Sequence, residues 1–194
     1  MVVGALILIA TALGRWVGDG FSDEVATVGP LPDSPATVPI DAVDSPSGLQ
    51  PDGFTTIQAR ITDANGEVCE VCLWLADDSD ERRRGLMGVT DFGDAVGMAF
   101  VFEDTRVGSF WMFETPTPLS IAWFAGAGDE LVGTADMHPC VGVPRSWCTR
   151  YSPQSGYDLA IEVPQGELEA VGIAAGSNVQ LIEGTEAERC PISP

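Results

Sequence analysis

The chain has 194 residues, 45% of them hydrophobic and 20% charged, enough for one ordinary domain and an extension. Its nine basic residues are all Arg, and 29 acidic residues bring the formal net charge to −20. A surface of that sign repels nucleic acid and anionic lipid headgroups, so nucleic acid is excluded as a partner.

Residues 2–14 (VVGALILIATALG) form an apolar run that ends at Arg15. The run is shorter than the roughly 20 residues a membrane-spanning helix needs, and its length suits the apolar region of an export signal. No basic region precedes it. Residues 1–17 therefore read as a signal or membrane-anchor segment, the chain's only expected contact with a membrane. From 18 to 53 the composition turns to Pro, Asp, Ser and Gly (LPDSPATVPIDAVDSPSGLQPDG). Such a segment cannot bury a core and reads as a linker. A folded domain is expected over 54–185, followed by an acidic tail over 186–194. The expected location is extracytoplasmic, secreted or held to the cell membrane by the N-terminus.

The domain opens with a predicted hairpin. Ile57, Ala59 and Ile61 alternate with Gln58 and Arg60, Asp63 to Gly66 supply a turn, and Cys69, Val71, Leu73 and Leu75 share one face of the return strand. Ser79 reads as the N-cap of a short helix with Asp80 and Glu81 in its first turn, running through Met87 and ending at Gly88. Met98, Phe100 and Phe102 alternate in a further strand, and Phe110 to Phe113 reads as the next. Leu119, Ile121 and Trp123 alternate again, and Glu130 to Met137 returns across a Gly-rich turn. His138 to Pro153 reads as a loop, Tyr157 to Val163 as a strand, Glu167 to Val171 as a second short helix and Asn178 to Ile182 as a closing strand. Many short strands with Gly and Pro turns predict a mainly β fold, a compact single-domain sandwich or barrel with two short helices.

Five Cys in a chain expected outside the cytoplasm point to disulfides with one Cys left over. Cys140 and Cys148 bracket a short loop that closes on itself, so a bond is expected there. Cys69 and Cys72 have the spacing of a redox or zinc pair, but both chemistries need the two sulfurs to converge. Residues three apart on a strand face opposite sides. The pairing of Cys69, Cys72 and Cys190 stays open.

The stretch 81–125 holds three of the five Met and two of the five Trp. Its motifs are Arg82-x-x-Gly85-Leu86-Met87, Gly97-Met98-x-Phe100-x-Phe102, Phe110-Trp111-Met112 with Thr115, and Pro118-Leu119. They are followed by Leu159 and Glu162 in YDLAIEVPQG and by Gly172 and Gly176. In this order, over about residues 55–183, the chain resembles the domain-of-unknown-function 192 family of bacterial and archaeal proteins. The resemblance implies a compact mainly β domain, often exported or membrane-linked, and carries no activity with it. Relatives commonly have Asn where Glu114 stands and Asp where Ser120 stands, so no role of a carboxylate after Pro-Leu carries over.

Polar residues beside the apolar strands mark candidate sites, because charges there are costly unless paired. Arg82 and Glu162 are the simplest structural ion pair, joining helix to strand. A cleft with Trp111 as its floor and Arg82, Glu114 and Tyr151 as ligand-binding groups is the functional alternative, suited to a small molecule or glycan. Asp136 and Glu162 are the candidate acid and base if the protein is a small hydrolase. Met87, Met98, Met112 and Met137 with His138 could supply soft ligands for Cu(I), but Met98 and Met112 fall in strand patterns as core fillers. No nucleophile–His spacing and no phosphate loop is present. The main expectation is a non-catalytic module that binds a small molecule, glycan or envelope protein, with no cofactor and no metal.

Overall fold

The computed structural model describes residues 48–182. The expected signal or anchor segment, most of the linker, the tail and Cys190 lie outside the described residues. The hairpin forms as predicted. Strand β1 (Thr55–Thr62) pairs antiparallel with β2 (Val68–Ala76), Ile57 opposite Leu73 and Ile61 opposite Cys69. Asp63 holds the turn by accepting the backbone N–H groups of Asn65 and Glu67. The Glu67 bond, ahead of the others, keeps its carboxyl below the usual range.

The helix α1 (Ser79–Arg84) follows. Its N-cap is Asp78 and not Ser79. The Asp78 carboxylate accepts from Asp80 N and Glu81 N, and Glu81 at the third helical position reaches back to the Asp78 N–H. That reciprocal box is available to Asp78 but not to Ser79, whose third residue along is Arg82. The helix stops at Gly85, three residues earlier than expected, where φ is 47°.

After α1 come β3 (Gly97–Arg106), β4 (Leu119–Ala125), β5 (Glu130–Met137), β6 (Tyr157–Pro164) and β7 (Asn178–Ile182). They form one seven-stranded sheet in the order β5-β4-β6-β3-β2-β1-β7. Every pairing is antiparallel except β2 with β3, whose parallel alignment requires the crossover that carries α1. The fold is mainly β, as expected. Phe110 to Phe113 is not a strand. It makes only isolated bridges, Phe110 to Tyr151 and Phe113 to Cys140. The second short helix is a single 3-10 turn, Glu169–Val171, and another such turn, Arg145–Trp147, lies in the loop after β5.

Period-two alternation sends apolar side chains to both faces of the sheet. Met98, Phe100, Ile121, Trp123 and Tyr157 form one layer, covered by Leu86, Val89 and Met112 from the loops. Ile57, Leu73, Phe124, Leu159 and Ile161 form the other, covered by Val171 and Ile173. The edge strand β7 reaches the β4–β5 turn, with Val179 N donating to Gly128 O at 2.9 Å. A Cβ on Gly128 would lie 2.1 Å from Val179 O, so only glycine allows this closure. Gly48 to Gly53, read from sequence as the end of the linker, also packs on the domain. Leu49 N donates to the Thr90 hydroxyl, Gln50 bonds Asp91, and Pro51 is buried.

Candidate functional site

A cavity of about 280 Å³ opens on the face built from Met98, Phe100 and Tyr157. Its sides come from three stretches: α1 with Gly85–Met87, the outer half of β3, and residues 109–115. Its floor is β6.

Glu162 belongs to that floor. On β6 it sits opposite Met98 of β3 and Ile121 of β4, both fully buried. Glu162 itself is 4% exposed. The strands approach closely here because residue 97 is glycine; a Cβ at Gly97 would lie 2.0 Å from the Glu162 carbonyl oxygen. Among the described residues no hydrogen bond and no ion pair reaches the Glu162 carboxyl, and the residue lines the cavity. Burial alone pushes its pKa up to about 8. At neutral pH it is a neutral acid, able to donate one hydrogen bond. Tyr157, at the start of the same strand and 2% exposed, lines the same cavity. Burial raises the Tyr157 pKa, and Arg106 opposes that rise.

Arg82 does not pair with Glu162, contrary to the simplest expectation. Its guanidinium donates to the carbonyls of Asp77 and Val101 and lies 5.1 Å from the Phe102 ring centroid. Arg106 lies over the same Phe102 ring at 4.5 Å, and Arg84 stacks on Phe54 at 4.1 Å while donating to Asp52 O. Trp111 lines the cavity half-exposed, with Arg145 4.9 Å and Arg150 3.5 Å from its ring centroid. The Cys140–Cys148 disulfide, S–S 2.08 Å, closes the loop that presents Arg145.

The other expected site residues lie elsewhere. Glu114 is exposed with φ 51°, and it joins three loops. Its carbonyl accepts Gly88 N, its N–H donates to Cys140 O, and its carboxylate accepts Gly142 N. Tyr151 brackets Phe110 through two backbone bonds, and its hydroxyl accepts the His138 N–H. Asp136 is exposed and accepts the Ser120 hydroxyl at 2.5 Å, and Ser120 in turn accepts Gly166 N. Asp136 pairs with Ser120, whereas Glu162 pairs with the next residue, Ile121. Adjacent strand residues face opposite sides, so Asp136 and Glu162 are on opposite faces of the sheet and cannot flank one bond. The acid–base pair of the hydrolase reading is absent. Met98, Met112 and Met137 are buried in the apolar layer that includes Trp123. Cys69 is free, and Cys72 is disulfide-bonded.

Residues 60–181 match DUF192, a family described as "Uncharacterized ACR". The chain belongs to the DUF192 family. Its family motifs converge on one place, since Arg82, Gly85, Phe100, Phe110, Trp111 and Glu162 all line the cavity. No curated protein matches the chain. Among solved structures it is similar to a protein proposed to be a transcription regulator from Sinorhizobium meliloti 1021, at 23% identity and a TM-score of 0.56, covering 66% of this chain and 95% of that one. It is also similar to a protein of unknown function from Novosphingobium aromaticivorans DSM 12444, at 24% identity and a TM-score of 0.55, covering 66% and 87%. At these identities the likeness shows a shared fold alone.

Of the residues singled out from the sequence, Arg82, Trp111 and Glu162 line the cavity; Arg106 and Tyr157, which also line it, were not among them. Those two are directly opposite in the β3–β6 ladder, past an irregularity after Val101. The signal was Arg106 itself, one of few cations in an acidic chain and placed at the end of an aromatic strand.

Proposed function

We propose that this DUF192 chain is a non-catalytic binding module of the cell envelope whose small-molecule site is the cavity over Glu162. The observation that carries the reading is a nine-tenths buried carboxyl with no protein partner, facing an aromatic-walled cavity. The carboxyl meets the cavity and no protein donor or acceptor, so a ligand there can accept its hydrogen bond. The Cys140–Cys148 disulfide is compatible with an extracytoplasmic location and supports export. Among the described residues no helix is long and apolar enough to cross a membrane; the tether in this reading is residues 1–17. The hydrolase alternative loses its second carboxylate with Asp136 on the far face.

The test is a thermal-shift and equilibrium-dialysis survey of the full chain against small metabolites and short glycans, run beside Trp111→Ala. The reading requires at least one compound that binds the native chain and is lost in the variant. Compounds that bind both proteins equally, or none that bind either, contradict it.

A further inference from the structure

The described residues include seven arginines in a chain whose acids outnumber its bases 29 to nine. Arg60 and Arg83 pair with carboxylates, Glu70 and Asp80. The remaining five, Arg82, Arg84, Arg106, Arg145 and Arg150, have no carboxylate within 4.0 Å among the described residues. All five belong to one place. Three line the cavity, and two stack on its Trp111 wall. They are held by carbonyls and aromatic faces, contacts that fix a guanidinium without neutralising it. Elsewhere acidic, the protein therefore focuses positive potential on this opening.

Resting on the binding-module reading, we infer that the cavity takes a small organic anion, a flat ring system bearing one carboxylate or comparable acidic group. Its anionic group would meet the guanidinium collar at Arg82 and Arg106. Its ring would lie against Trp111 and Phe110. A ring heteroatom or carbonyl would accept from the Glu162 carboxyl below. Size fits the class: about 280 Å³ is at the low end of ligand sites, enough for one or two fused rings and not for an oligosaccharide. A phosphate-rich ligand fits less well, since the neutral floor and aromatic walls would stay empty beneath a group held at the rim.

The test uses the full chain with 2-naphthoate, its neutral isostere 2-naphthamide and inorganic phosphate as probes, followed by titration calorimetry or Trp fluorescence. Naphthoate is expected to bind about tenfold more tightly than naphthamide, the scale of one charge-assisted hydrogen bond. Arg106→Gln is expected to remove most of that preference, and an unchanged melting temperature checks that the variant is folded. Equal affinity for naphthoate and naphthamide overturns the anion inference while the binding module stands. Phosphate binding as tightly as naphthoate overturns the role of the ring. No binding by any of the three overturns both the anion class and the cavity as a site for ring compounds.

Discussion

Arg82 and Glu162 line the same cavity and do not pair. The arginine is held by the carbonyls of Asp77 and Val101, and the carboxyl is left to the apolar layer around Met98 and Ile121. A structural ion pair would have neutralised both groups and closed the cavity between them. Kept apart, they leave a fixed cation at the rim and a proton-bearing acid at the floor. Both are free to meet a ligand.

The raised Glu162 pKa has a consequence for stability. The native carboxyl holds its proton to about pH 8, while the unfolded one releases it near 4.5. Between those values the native state binds more protons, so stability falls as pH rises. The contribution is complete below about 4.5 and is lost by about 8. Glu162→Gln keeps the shape and cannot ionise. Its stability relative to the native chain should climb across that window by several kcal/mol, at about 1.4 kcal/mol for each pH step of one, and then level off. Urea unfolding of both proteins from pH 4 to 9 measures the difference. A difference that stays constant would show that Glu162 titrates normally.

The disulfide loop should affect both stability and the cavity wall. Replacing Cys140 and Cys148 together by Ser should cost about 2.5 kcal/mol in the chain-entropy account of a loop this short. Leaving the Cys72 bond untouched makes the double variant cleaner than chemical reduction. Because the loop carries Arg145 over Trp111, Trp111 fluorescence should also lose its native environment. Unchanged stability and emission would mean that the loop is held by its other contacts alone.

Glu114 sits at φ 51°, a left-handed conformation that costs most side chains about 1–2 kcal/mol and that Asn adopts more readily. Its carboxylate contributes one exposed bond to Gly142 N at 3.3 Å. Glu114→Asn should therefore stabilise the protein by about 0.5 kcal/mol, seen as a small rise in melting temperature. A fall would assign the carboxylate bond more weight than the backbone strain.

Period-two alternation and the turn residues between made the strands of the sheet readable, and the short spacing of Cys140 and Cys148 made their bond readable. What stayed hidden depends on register. Asp136 and Glu162 look equivalent in sequence, as carboxylates within strand patterns. Only their partners, Ser120 and Ile121, reveal that they face opposite sides. Arg106 and Tyr157 are likewise far apart in the chain and become neighbours through the β3–β6 pairing. Parallel pairing of β2 with β3 leaves no local signature because it is made across a helical crossover. Two adjacent residues, Asp78 and Ser79, competed for the helix cap, and Glu81 decided it by completing the box with Asp78. Phe110 to Phe113 has the aromatic content of a strand, but in the fold it borders a cavity instead of joining the ladder.

Carbon-13 NMR of the Glu162 side-chain carboxyl, assigned through Glu162→Gln, is the shortest route to the state of the cavity floor. A midpoint near pH 8 is expected for a buried carboxyl with no protein partner. A midpoint near 4.5 would mean that water or a guanidinium already satisfies it, and the cavity would lose the group that sets it apart.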